Sequence, residues 1–138
     1  MTRRRLILLL MLLFPVISGV AEESLVVIGH PGLPKVDGAA LQRLYTGRTT
    51  TLGDVAATPL NLPVGNPARQ QFLDAVLRQS EEQYTAYWLV RRYVGKGAPP
   101  QEVASLEEAV KLVNSLPGAV AYVPLANVPA GANVLFRR

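Results

Sequence analysis

Apolar residues along this chain follow two spacings. Short β-branched runs bounded by glycine or proline alternate with stretches in which apolar side chains return every three or four residues. The first pattern predicts buried strands and the second amphipathic helices. Leu25-Val26-Val27-Ile28, ending at Gly29, reads as a strand. His30 to Pro34 is a loop broken by two prolines and a glycine. Asp37 caps a helix whose inner face is Leu41, Leu44 and Tyr45, and Gly47 ends it. Thr58 to Val64 reads as the next strand. Asn66 then caps a helix with Pro67 at its first position and Phe72, Leu73, Val76 and Leu77 facing inward.

The second half repeats the alternation. Ser80 to Gln83 is a capping box, and the helix it opens carries Tyr84, Tyr87, Trp88 and Val94 on one stripe. Gly95 to Pro100 is a break. Ser105 to Glu108 is a second capping box, before a helix that buries Leu106, Ala109, Val110 and Val113. Pro117-Gly118 stops that helix, Ala119 to Val123 is a strand, and Asn133 to Phe136 is a last strand or edge. Strands separated by helices predict a single α/β lobe with a mostly parallel sheet and helices on both faces. Leu25–Ile28, Leu60–Leu62 and Val120–Tyr122 should be its inner strands. The loops at 29–36 and 64–68 both follow strands, so both are expected on the ligand-bearing rim off the strands' carboxyl ends.

The N-terminus changes this picture. Arg3, Arg4 and Arg5 precede an apolar run from Leu6 to Ile17, and Ser18-Gly19-Val20-Ala21 supplies small residues. That order predicts a signal peptide over 1–21, cleaved after Ala21, with one domain over 22–138 and a periplasmic or secreted location. The run is shorter than the ~20 residues of a spanning helix, so no membrane span is expected after processing. Removing 1–21 takes away three arginines and no acids, so the net charge of +4 falls to about +1. The basic balance is therefore mostly a targeting signal. With no dense basic stripe and no aromatics interleaved with one, nucleic acid is not an expected partner.

Candidate chemistry is sparse. The chain has no cysteine and one histidine, His30. A lone histidine offers neither a metal cluster nor a nucleophile–base pair, so no metal, no cofactor and no enzyme activity are expected. The helix start at Gly65-Asn66-Pro67 is the strongest feature left, because free N–H groups at a helix N-terminus favour anions. Arg48 and Thr49 to Thr51 form a polar loop. Arg91 and Arg92 read as the solvated side of their helix.

Three segments carry a resemblance. Leu41-Gln42-Arg43-Leu44-Tyr45-Thr46-Gly47-Arg48-Thr49 resembles a helix end, and Leu60 to Leu77 a strand and helix, of the periplasmic phosphate-binding-protein-like family of ABC-transporter solute receptors. Leu116-Pro117-Gly118-Ala119-Val120-Ala121-Tyr122-Val123 resembles that family's P-G-A-I-G-Y-V segment. Trp88 with Tyr93 to Gly97 and Pro99-Pro100 is similar to short, stand-alone members. The resemblance implies one periplasmic-binding-protein-like lobe, where full-length receptors hold ligand between two.

It also implies a small anion such as phosphate as ligand, at Gly65, Asn66, Ala68 and Arg69 with Thr49 assisting, and a link to an ABC-type membrane transporter. The Ser-Gly-Thr of phosphate binders is replaced here by Asn66-Pro67-Ala68, and the upstream arginine and acid by Leu62 and Pro63. Binding at such a reduced donor set is expected to be weak and salt-sensitive. The alternative is a ligand-free protein-interaction module serving a membrane sensor or transporter. Such a module should show an apolar patch where a partner docks.

Overall fold

Strand β6 (Ala119–Pro124) is buried at every position and lies at the centre of the molecule. The structure, a computed structural model, describes residues 24–138 and Pro15. The expected signal peptide and its cleavage point therefore lie outside the described residues, Pro15 apart. Around β6 the chain runs β1 (Leu25–Gly29), α1 (Gly38–Tyr45), β2 (Thr51–Leu52), β3 (Val55–Ala56), β4 (Thr58–Asn61), α2 (Pro67–Phe72), α3 (Glu81–Tyr93), β5 (Gln101–Glu102), α4 (Leu106–Ser115) and, after β6, β7 (Asn133–Arg137). A π-helical turn, Leu73–Leu77, continues α2.

The main sheet has the order β5-β4-β6-β1-β7. β4 pairs parallel with both β5 and β6, while β1 pairs antiparallel with β6 and β7. Four strands therefore point one way and β1 alone runs against them, so the sheet is mostly parallel in direction. The three strands expected inside are inside, and β7 is an edge. The step from β4 to β5 moves outward, and the step from β5 to β6 returns across β4. Right-handed crossovers in opposite directions put α2 and α3 on one face and α4 on the other. Both faces are thus covered, which is why β1 and β6 read as unbroken apolar runs.

The helix starts form as their sequences dictate. Asp37 accepts from the N–H of Ala40, Asn66 from that of Ala68, and Ser80 and Gln83 close both bonds of their capping box. At α4 only half of the second box forms. Ser105 accepts from Glu108 N–H, but the Glu108 carboxylate takes the N–H of Ala104 instead of Ser105.

Three expectations are corrected and one hairpin is added. The strand expected over 58–64 ends at Asn61, because Leu62 turns away to give its N–H to the Tyr122 hydroxyl at 3.0 Å. Segment 51–56, for which the sequence pattern announced no element, is the β2–β3 hairpin turning at Gly53-Asp54. Val94 is exposed, not inward. Arg91 is not a solvated side chain. It donates to Gly47 O at 3.1 Å and lies over the rings of Tyr87 and Trp88 at 5.5 and 5.6 Å.

Candidate functional site

The sequence places the candidate site where β4 gives way to α2, and the packing there is dense. Phe72 stacks on Tyr122 with ring centroids 4.1 Å apart, and Tyr45 meets Phe72 edge-on at 4.7 Å. Beneath this cluster runs a buried chain of hydrogen bonds. The Tyr122 hydroxyl donates to Asn61 Oδ1 at 3.1 Å, Asn61 Nδ2 donates to the Tyr84 hydroxyl at 3.2 Å, and Tyr84 donates to Tyr45 O at 2.9 Å. Each polar group has a partner, as burial requires. This chain ties the end of β4 to α1, α3 and β6. It rigidifies the floor on which the helix start sits.

Arg69 is the centre of the site and is only 5% exposed. Its Nη2 and Nε donate to the two oxygens of Glu81 at 2.6 and 3.0 Å, a bidentate pair. Nη1 donates to Leu62 O at 3.0 Å and lies 3.5 Å from Glu102 Oε2. The guanidinium also lies over the Tyr84 ring at 5.7 Å. Burial alone would push the Arg69 pKa down, but the Glu81 carboxylate outweighs it and holds the group above its ordinary value. The cation is therefore saturated by the chain's own acids.

The other expected anion contacts are distributed differently from a single pocket. Gly65 is exposed in the turn that Asn66 closes by donating its N–H to Pro63 O at 3.0 Å. The Ala68 N–H is occupied by the Asn66 side chain at 2.9 Å. Thr49 bonds within its own loop, donating to Thr51 O at 3.2 Å. It lines a different cleft, of about 260 Å³. Arg69 lines one of about 450 Å³ with Val64, Leu89, Arg92 and Glu102. Trp88, Pro99 and Pro100 line both clefts and so stand between them.

Strand direction separates the two expected rim loops. β4 runs parallel to β6 and β1 antiparallel to it, so the loops at 29–36 and 64–68 leave opposite ends of the sheet. His30 has a structural partner, with Nδ1 3.0 Å from Val113 O. Among the described residues no group of three or more histidines, cysteines, aspartates or glutamates is placed to hold a metal, and no helix is long and apolar enough to cross a membrane.

Two sets of residues escaped the sequence reading. Glu81 and Glu102 are the partners that close Arg69, and neither is marked by local spacing. The second set is an exposed apolar surface on α3 and beside it. Tyr93 is 92% exposed, Leu89 69%, Val90 62%, Val64 60% and Val94 56%. A signal for it was present. Leu89, Val90, Tyr93 and Val94 follow the buried Tyr84 and Trp88 at a spacing too wide for one face of a helix to hide.

No family model matches the chain, and no curated protein matches it significantly. Solved structures do. A phosphate ABC-transporter substrate-binding protein from Clostridium perfringens, with bound phosphate, superposes at a TM-score of 0.64 with 18% identity, over 82% of this chain and 44% of its own. An ABC-type phosphate transport receptor from Vibrio cholerae gives 0.63 and 16%, over 82% and 45%. PstS from Borrelia burgdorferi gives 0.60 and 14%, over 82% and 46%. At such identities the likeness establishes the fold and leaves the ligand open, and the chain spans less than half the length of each. The α/β lobe anticipated from the strand–helix order is therefore the fold of part of phosphate transport receptors, the matched region covering less than half of each.

Proposed function

We propose that this chain is an exported, non-enzymatic binding module of the phosphate-receptor fold that serves a membrane transporter or sensor by docking to protein, not by capturing a free oxyanion. The observation that carries this reading is the closure of Arg69 by Glu81, Glu102 and Leu62 O. An incoming oxyanion would have to displace a bidentate carboxylate from a nearly buried cation and sit beside two acids. The donors left at the helix start are too few to offset the desolvation of a dianion. The exposed apolar surface on α3 supports docking, since a patch of this kind marks a contact face.

A second reading keeps the oxyanion. It places a small anion such as phosphate at Gly65, Asn66, Ala68 and Arg69, with Thr49 assisting, and it draws support from the likeness to a receptor with bound phosphate. Isothermal titration of residues 22–138 with phosphate and sulfate separates the two. The docking reading expects no heat at low salt. Saturable heat that Arg69→Ala abolishes, in a variant still folded by circular dichroism, would establish the oxyanion reading in its place.

A further inference from the structure

The inner face of α3 is held against α1. Tyr84, Tyr87 and Arg91 donate in turn to the carbonyls of Tyr45, Thr46 and Gly47, at 2.9, 2.7 and 3.1 Å. These are the carbonyls at the C-terminal end of α1, which has no other way to satisfy them inside the fold. Arg91 also brings a cation to the negative end of the α1 dipole. With Trp88, these side chains fix which side of α3 faces inward.

The outer side is then set by the helix period. Glu82, Ala86, Leu89 and Tyr93 fall at i, i+4, i+7 and i+11, and all four are exposed. That is the spacing of a coiled-coil seam, flanked here by Val90 and Thr85. Its charges are arranged head to tail. Glu82 lies in the first turn and Arg92 in the last, and neither has a partner among the described residues. A helix with an unpaired acid at one end of an exposed face and an unpaired cation at the other is complementary to itself when reversed.

We propose that α3 pairs antiparallel with α3 of a second copy, across a two-fold axis between Ala86 and Leu89. Leu89 of each copy packs on Ala86 of the other, and Tyr93 covers the seam's far end. Glu82 of each copy meets Arg92 and Tyr93 of the other. The two-fold makes every contact occur twice, and the antiparallel dipoles attract. The exposed Val64 and Val94 extend the apolar surface beyond the seam. This inference rests on the reading of α3 as a docking face and commits that face to a second copy. Oxyanion titration does not depend on oligomeric state, so the two fail separately.

Light scattering after size-exclusion chromatography, on residues 22–138 across a concentration series, tests it. A mass twice that of the single chain is expected at high concentration. Leu89→Arg and Tyr93→Arg should give the single-chain mass, with the melting temperature of the wild type at dilutions where it too is a single chain, because both side chains face solvent in one copy alone. Glu82→Arg and Arg92→Glu should each weaken the dimer by about tenfold, two symmetry-related ion pairs being lost together, and the double swap should restore it. A single-chain mass at every concentration would overturn the proposal and leave the face to a different protein. A dimer that survives both arginine substitutions, or a double swap no tighter than either single change, would overturn it equally.

Discussion

At the scale of single residues, Arg69 decides more than any other side chain. In the sequence it follows a helix cap and looks like an anion ligand. In the fold it is an internal tie, joining the start of α2 to the start of α3 and the β5 edge. The reason is local chain geometry. The π-helical turn after α2 ends at Arg78, which takes a left-handed conformation (φ 55°), and the chain then returns Glu81 to the guanidinium. No periodicity in the sequence encodes that return. The two acids differ in burial, with Glu81 23% exposed and Glu102 52%. Removing the buried partner should therefore cost much more than removing the exposed one. Glu81→Ala is expected to lower stability by about 3 kcal/mol, since it strands the nearly buried Arg69 guanidinium. Glu102→Ala should cost less than about 1 kcal/mol, as for an exposed pair. Urea unfolding of both variants measures the difference. Equal costs would contradict the assignment of Glu81 as the main partner.

At the scale of elements, what was legible was whatever a local rule controls. Asp37, Asn66 and Ser80 cap the helices that their spacing announces, and the long apolar runs become β1 and β6. What was not legible depends on pairing. β2, β3 and β5 have two residues each and exist only because a neighbour is in reach. The direction of β1 is invisible to a pattern that is the same read either way along the sheet, and this is what misplaced the 29–36 loop beside the candidate site. For the same reason the site was half legible: its backbone turn was readable, its electrostatic closure was not. Gly118 joins these levels. It has φ +74°, and a Cβ there would run into the carbonyl of Ala56, so the end of α4 passes tightly over the β3–β4 junction. Gly95 has the same φ with open space around it. Gly95→Ala should cost about 1–2 kcal/mol from the left-handed conformation alone. Gly118→Ala should cost clearly more, because the clash is with backbone. Thermal denaturation of the pair isolates the packing contribution, and identical losses would show that β6 can shift to make room.

At the scale of the whole molecule, the three buried phenols Tyr45, Tyr84 and Tyr122 bind the sheet to α1, α2 and α3, and they make the fold sensitive to alkali. Burial raises the pKa of all three, since a phenolate would lose its hydration there. The unfolded chain releases those protons near pH 10. Above that point the native state binds more protons than the unfolded one, so stability falls as pH rises. Below it the contribution is complete. Each phenol held neutral in the fold removes about 1.4 kcal/mol per pH unit above pH 10. Three together lower stability by roughly 4 kcal/mol per unit, which exhausts a net stability of about 5–15 kcal/mol within a few units. The expected outcome is a cooperative alkaline transition. In an ultraviolet titration, three of the five tyrosines should ionise only as the near-ultraviolet circular dichroism collapses. Tyr122→Phe should leave fewer tyrosines in that late group, at the separate cost of unpairing Leu62 N–H and Asn61. Should all five tyrosines titrate at their ordinary value with the tertiary spectrum intact, these hydroxyls would not be the tie between sheet and helices described above.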